Sequence, residues 1–483
     1  MLPSASFAQP KDPIHVTAEI LRNKDKTTET RTELAGGVQF EQGSIYGSAD
    51  SAVQFPLRNV IELYGHVKVR QDTLMLEAPK LTYDGNSKIA KAEGNIIFRD
   101  RQDKITSNWG TYNMNTGTAD FHVNVKATKD SSTLTCSDLT YVRSTQTMIA
   151  KGKVIAKGDS GIIYCDTLVD ARAIGERTAM GHVKVFNDSL TIFCAHISES
   201  NFQKKVVATG NVEAYSKANN TVQFGDSLIR NTETGYSLVP QKPLLFIIDS
   251  SRHLDSLGRD SITTFDTLMI KSKKMEAFPG DSGLFIATDS VILMRSNFSG
   301  MCGKLIYYKS TGVLTLFAAE RQRIWYDSTE IDGDSIIMYQ RNNKPERIVS
   351  IGHAFATTPY SDSGTVGRIS QLSSKTMTLT IQKDTVRSLL AVDNALTIYF
   401  ASDNKKPNGL NRASGDSLRI DFEHNTAKQI TVLSNSEGEY WPEKYVGNRG
   451  AAFRLGNYER FYDHRPRRDW FVLDWTPIAQ LAQ

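Results

Sequence analysis

The sequence predicts an all-β protein, an elongated antiparallel repeat sheet folded on itself and built from 29-residue, two-strand units. Three observations carry this: a fixed period, alternation of apolar and polar residues along each segment, and turns too short for a crossover. The period starts at Gly36, and one slot is filled in turn by Gly36, Gly65, Gly94, Val123, Gly152, Gly181 and Gly210. Self-similarity at such a spacing marks an architecture in which each unit buries its apolar face against its neighbours.

The first strand of each unit is read around that slot. Two positions on stand Val38, Val67, Ile96, Val125, Val154, Val183 and Val212; four positions on come Phe40, Val69, Phe98, Ala127, Ala156, Val185 and Ala214. The columns between hold Gly37, His66, Asn95, Asn124, Lys153, His182, Asn211, and Gln39, Lys68, Ile97, Lys126, Ile155, Lys184, Glu213. Alternation at a period of two predicts strands with one buried and one wet face.

A second strand follows in Leu134–Tyr141, Gly161–Val169 and Leu190–Ile197, with turn residues such as Asp72-Thr73, Asp130-Ser131 and Asp84-Gly85-Asn86 on either side. Parallel pairing would need roughly a dozen residues or more of crossover, which a unit holding two long strands lacks. Consecutive strands are therefore hairpin partners in an antiparallel meander. The glycine slot lies in mid-strand, where glycine marks a sharp bend. Pro79, Gly110, Asp138 and Asp166 are expected to make the matching corner on the returning strand.

These repeats resemble the OstA-like (organic solvent tolerance-like) family of periplasmic lipopolysaccharide-transport proteins. The resemblance rests on Ala92-Glu93-Gly94-Asn95-Ile96, Ala150-Lys151-Gly152-Lys153-Val154, Ala179-Met180-Gly181-His182-Val183 and Ala208-Thr209-Gly210-Asn211-Val212. It covers about residues 30 to 235 closely and 236 to about 435 loosely, where Gly-Asp-Ser turns recur at 280–282, 333–335 and 415–417 with drifting spacing. It implies a β-jellyroll whose apolar interior shields acyl chains in the periplasm or at the outer membrane. The implied partners are lipopolysaccharide or a related lipid, other β-jellyroll components of a transport bridge, an outer-membrane translocon, and further copies of the chain end to end. The interior expected to meet lipid comprises Val38, Phe40, Val67, Val69, Ile96, Phe98, Val125, Val154, Val183, Val185 and Val212, with second-strand partners Leu81, Leu139, Leu168 and Ile197.

The expected organisation is a tail over 1–29 ending a signal peptide after Ala8, regular repeats over 30–238, a less regular β-repeat region over 239–440, and a tail over 441–483. In the last, Arg465 to Trp470 reads as a docking or partly ordered segment. The second half shows no regular aromatic girdle of a membrane barrel, and no apolar run reaches the 18 residues of a membrane helix.

Composition narrows the chemistry. A hydrophobic fraction of 40% supports a core, and a net charge of +4 with 23% charged residues, without a basic block interleaved with aromatics, gives no reason to expect nucleic acid. Cys136, Cys165 and Cys194 share one column, about 9 to 10 Å apart in a meander, too far for a disulfide or a shared metal. They read as small core residues. The Asp column at 72, 130, 159 and 188 lies in turns, His66, His122 and His182 lie on the polar side, and Lys68, Lys126, Lys153 and Lys184 read as solvated faces. No enzyme, metal or cofactor is expected. A scaffold with a self-filled core and, further off, a β-repeat polysaccharide hydrolase are the rival readings.

Overall fold

The computed structural model describes residues 12–474 apart from 27–28, 218–219, 255–260, 282, 318–321, 342–343, 361–366, 404–405, 424–425 and 457–461. The proposed cleavage point after Ala8 lies outside these residues. The chain forms two compact units, Met1–Gly210 and Asn211–Gln483.

Unit one contains β1 (His15–Thr17), β2 (Ile20–Lys26), β3 (Glu29–Gln42), β4 (Ile45–Phe55), β5 (Val60–Gln71), β6 (Leu74–Asp84), β7 (Ile89–Asp100), β8 (Asp103–Asn113), β9 (Thr118–Lys129), β10 (Ser132–Val142), β11 (Thr147–Gly158), β12 (Gly161–Ala171), β13 (Glu176–Phe186) and β14 (Leu190–Ser200). From β3 onward each strand pairs antiparallel with the next, as the short turns require. Ahead of Glu29, within the stretch read as a tail, β1 and β2 cover the two halves of β3.

The glycine column is a crease. Along β5 and β6, Leu63 faces Leu81, Tyr64 faces Lys80, and the next pair is Val67 with Ala78, so Gly65 and His66 stand opposite Pro79 alone. The extra residue bends the strand as a β-bulge does. Gly65, Gly94, Gly152, Gly181 and Gly210 have φ between 70° and 81°, backbone that L side chains adopt only at a cost.

The next column departs from the expected wet strand face. His66, Asn95, Asn124, Lys153, His182 and Asn211 have φ between 40° and 56°, so they form a left-handed crest and not alternating strand positions. Asn is among the residues that tolerate this region best. On the returning strand the single opposed residue slips the inside/outside phase: Leu81, Ala78 and Leu76 are all buried. Gly110 is not part of this corner. It occupies the Leu81 column, pairs with Phe121, and a Cβ there would lie 2.5 Å from the Asp120 carbonyl and 3.1 Å from the Phe121 ring.

Unit two uses the same crease with interruptions. The strand Phe298–Tyr308 pairs with Val313–Phe317 over one half and Gln322–Tyr326 over the other. A rung divided into two separate strands is why the 29-residue spacing drifts. Two of the Gly-Asp-Ser triplets read as turns are themselves creases. Asp334 donates its N–H to the carbonyls of Ile351 and Gly352, opposite the left-handed pair Gly352-His353, and Gly415-Asp416-Ser417 lies inside Lys406–Glu423. Gly280 alone of the three lies in a turn, between Lys274–Phe278 and Leu284–Met294.

Residues 443–455, in the region read as a C-terminal tail, dock on unit two. Val446 and Leu455 join Phe355, Ile398, Phe400 and Leu410 in a buried cluster. The Arg368 guanidinium donates to Glu443 and to the Gly447 carbonyl. Phe471, with Trp470 and Leu473 beside it, packs on Phe224, Leu244 and Met269.

Candidate functional site

The interior of each unit is its inward columns. Among the candidate lining residues Val38, Phe40, Val67, Val69, Ile96, Phe98, Val125, Val154, Val183, Leu81, Leu139, Leu168 and Ile197 are buried in unit one, and Val212 is buried in unit two. Val185 is half-buried. These side chains meet because the crease folds each strand onto itself, apolar side in.

Where the fold is tightest the inward residue is small. Ala49, Ala78, Ser107, Cys136, Cys165 and Cys194 occupy this position in unit one, and Gly333 and Gly415 take it in unit two, where a Cβ on Gly415 would approach Val432 Cγ1 to 2.6 Å. The cysteines are buried and unpaired. Burial pushes the thiols up, to about 12 for Cys136, about 11 for Cys165 and about 12 for Cys194, so they behave as small apolar groups.

Folding at the crease brings the two ends of the strands together along a seam that the repeat reading did not find. Tyr83, at the end of β6, donates to Gln42 Oε1 at the opposite end of β3, 2.5 Å away, and Gln42 Nε2 donates to the Gly85 carbonyl at 3.0 Å. One repeat later Tyr112 donates to Gln71 Oε1 at 3.3 Å, and Gln71 Nε2 to the Met114 carbonyl at 3.4 Å. In the third copy Tyr141 donates to Asp100 Oδ2 at 3.0 Å. Each phenol reaches a partner 41 residues back. The signal was present as two more columns at the same period, Gln42, Gln71, Asp100 and Tyr83, Tyr112, Tyr141.

Charge reinforces the seam at its third copy. Asp100 is fully buried, accepts from Thr73 at 2.8 Å and lies 3.5 Å from Arg143 Nε, while Arg143 also donates to Asp72 at 3.3 Å. Burial raises the phenols of Tyr83, Tyr112 and Tyr141, which keeps them protonated as donors. Arg172 reaches across to Asp103. Beyond that pair, among the described residues of unit one, no hydrogen bond or ion pair joins the two strand ends.

The polar candidates lie outside the interior. His66, His122 and His182 sit near the crest, their Nδ1 atoms 2.8, 2.6 and 2.8 Å from carboxylate oxygens of Asp50, Asp138 and Asp166. Asp72 and Asp130 make left-handed turn positions, and Asp159 accepts from Ser131 at 2.9 Å. Lys68, Lys126 and Lys153 are exposed, and Lys184 lies over the Phe193 ring. Among the described residues no three His, Cys, Asp or Glu side chains converge as a metal centre would require.

A creased antiparallel stack with an apolar interior and outward polar pairs defines an all-β repeat protein whose distinguishing chemistry lies along its inner columns. Within that class, residues 14–148 match the model of a family described as OstA-like protein. The resemblance carried by the repeat therefore holds over that stretch. No curated protein matches the chain. Among solved structures it is similar to LptH from Pseudomonas aeruginosa, titled the LptA homologous periplasmic component of the conserved lipopolysaccharide transport device. The two are 15% identical, the match covers 34% of this chain and 100% of that one, and the TM-score is 0.22.

Proposed function

We propose that the chain is a non-enzymatic periplasmic lipid carrier that binds lipopolysaccharide or a related lipid through its inward columns and passes it toward the outer membrane. The observation that carries this reading is the continuity of those columns: from Val38 to Val183 every unit contributes a buried aliphatic residue at the same place. Apolar contact is non-directional and is worth roughly 0.8 kcal/mol per buried methylene. An acyl chain could slide between equivalent rungs with little change in energy. The family match over 14–148 supports the same conclusion and suggests other β-jellyroll components, a translocon or further copies of the chain as partners.

A scaffold with a self-filled core is the second reading. Its support is that Val67, Val69, Ile96 and Phe98 are at most 1% exposed, so lipid must displace packed side chains there. The two readings separate on photo-crosslinking in living cells. A photoreactive residue at Val67, Ile96, Val154 or Val183 is expected to capture lipopolysaccharide, and one at His66, Asn95, Lys153 or His182 is not. Absence of lipid at every inward rung of a correctly exported protein favours the scaffold.

A further inference from the structure

The seam and the interior filling change together along unit one. Over the first three repeats the Tyr–Gln and Tyr–Asp bonds close the strand ends, and aromatic rings fill the space behind them: Phe98 packs edge-on against Tyr112, Phe121 and Tyr141 with centroids 5.1 to 5.8 Å apart. Past Tyr141 the phenol column becomes Asp170 and Glu199, and the amide column becomes Lys129 and Gly158. The column that held Phe40, Val69 and Phe98 continues as Ala127, Ala156 and Val185. Ala156, Ile163 and Val185 face inward yet are only half-buried.

At this unsealed end an arginine enters the inward pattern. Arg177 lies on β13 two residues before buried Ala179 and pairs in register with Asp170 of β12, at positions that hold Met148 and Tyr141 one repeat earlier. Its Nε is buried without a hydrogen-bond partner, 3.6 Å from Asp170 Oδ1, while its side chain as a whole is 40% exposed. Asp170 serves both arginines, accepting from Arg172 Nε at 3.0 Å and ion-paired with Arg177. A part-exposed guanidinium whose Nε makes no hydrogen bond, in the same repeats as incompletely covered aliphatic side chains, suits a molecule that is apolar along its length and anionic at one end.

We propose that the unsealed repeats form a lateral port for an anionic amphiphile, its acyl chain on Ala156, Ile163 and Val185 and its anion on Arg177. The aromatic-filled, hydrogen-bonded repeats form the closed end. The proposal rests on the lipid-carrier reading and adds where loading occurs and which group orients the lipid. Entry is easiest here because the chain displaces fewer packed side chains and meets no Tyr–Gln or Tyr–Asp bond; the Arg172 bridge to Asp103, beside Asp170, marks the near edge of the port.

The test uses the full chain with two probes, a mid-chain diazirine palmitate and the matching uncharged alcohol, followed by peptide mapping. Labelling is expected to concentrate at 154–163 and 183–192 over 67–76 and 96–105, with the acid favoured by about tenfold or more, the low end of what a hydrogen bond to a charged group gives. Arg177→Gln should bring that preference close to one while the alcohol still labels the same peptides, which also reports an intact fold. Uniform labelling of all rungs, or an unchanged preference in Arg177→Gln, overturns the port. Lipopolysaccharide capture at Val67 or Ile96 with no probe at 154–163 overturns the port and leaves the carrier standing. Absence of both probe and lipopolysaccharide at every rung overturns both.

Discussion

Val123 occupies a glycine slot with φ of 63° and half its side chain in solvent. A β-branched residue is strained in left-handed backbone by about 1 to 2 kcal/mol, and a side chain this exposed gains little burial to offset it. Val123→Gly is therefore expected to raise stability by about 1 kcal/mol in denaturant unfolding. Gly181→Val should lower it by about 2 kcal/mol, because it combines the same strain with a Cβ 2.9 Å from Asp166 Cβ. The neighbouring crest residue is no control, since His182 is itself left-handed. An outward strand position such as Lys68 is, and Lys68→Val should change stability by less than about 0.5 kcal/mol. A second expectation concerns the thiols. Cys136, Cys165 and Cys194 should resist alkylation in the native state and be replaceable together by Ala with strand content intact, and a Cys136–Cys165 disulfide in peptide mapping would contradict the meander.

At the scale of strands, the pattern made some features legible and concealed others for definite reasons. The meander and the inward columns follow from period-two alternation, because burial acts on every second residue of a flat strand. The crest was misread because two consecutive left-handed residues also leave a polar residue between apolar ones, so sequence spacing alone does not separate a crest from an outward face. Gly-Asp-Ser was read as a turn because turns and creases both need a small residue beside an Asp that bonds nearby N–H groups. Short β1 and β2 carry no copy of the repeat and so gave no periodic signal. The docked segment after Trp441 rests on distant partners such as Arg368. Its anchor is pH-sensitive: the hydrogen bond from Arg368 holds the Glu443 carboxyl below its ordinary value of 4.5. A depressed carboxyl contributes stability that is complete above the ordinary value and lost as pH falls below it. Protection from hydrogen exchange across 443–455, taken relative to the intrinsic rate at each pH, should fall below about pH 4 compared with pH 7, and Glu443→Gln should abolish most of that difference.

For the molecule as a whole, the crease keeps two kinds of bookkeeping apart. Within a unit the returning strand changes phase once, at the fold, and recovers the same phase one repeat later, as the run Leu139, Cys136, Leu134 and then Leu168, Cys165, Ile163 shows. An insertion of a whole 29-residue module thus preserves every inward and outward assignment and lengthens the stack by two strand spacings, about 9 to 10 Å. A single extra residue within an arm would instead turn the rest of that arm inside out. Unit two points to the permitted exception, since the rung beside Phe298–Tyr308 is divided into Val313–Phe317 and Gln322–Tyr326 at the fold, where the phase already changes. The crease acts in effect as a reading-frame marker for the sheet. Growth by duplication is quantised in whole modules, and sequence novelty is admitted at the fold line without corrupting the faces on either side.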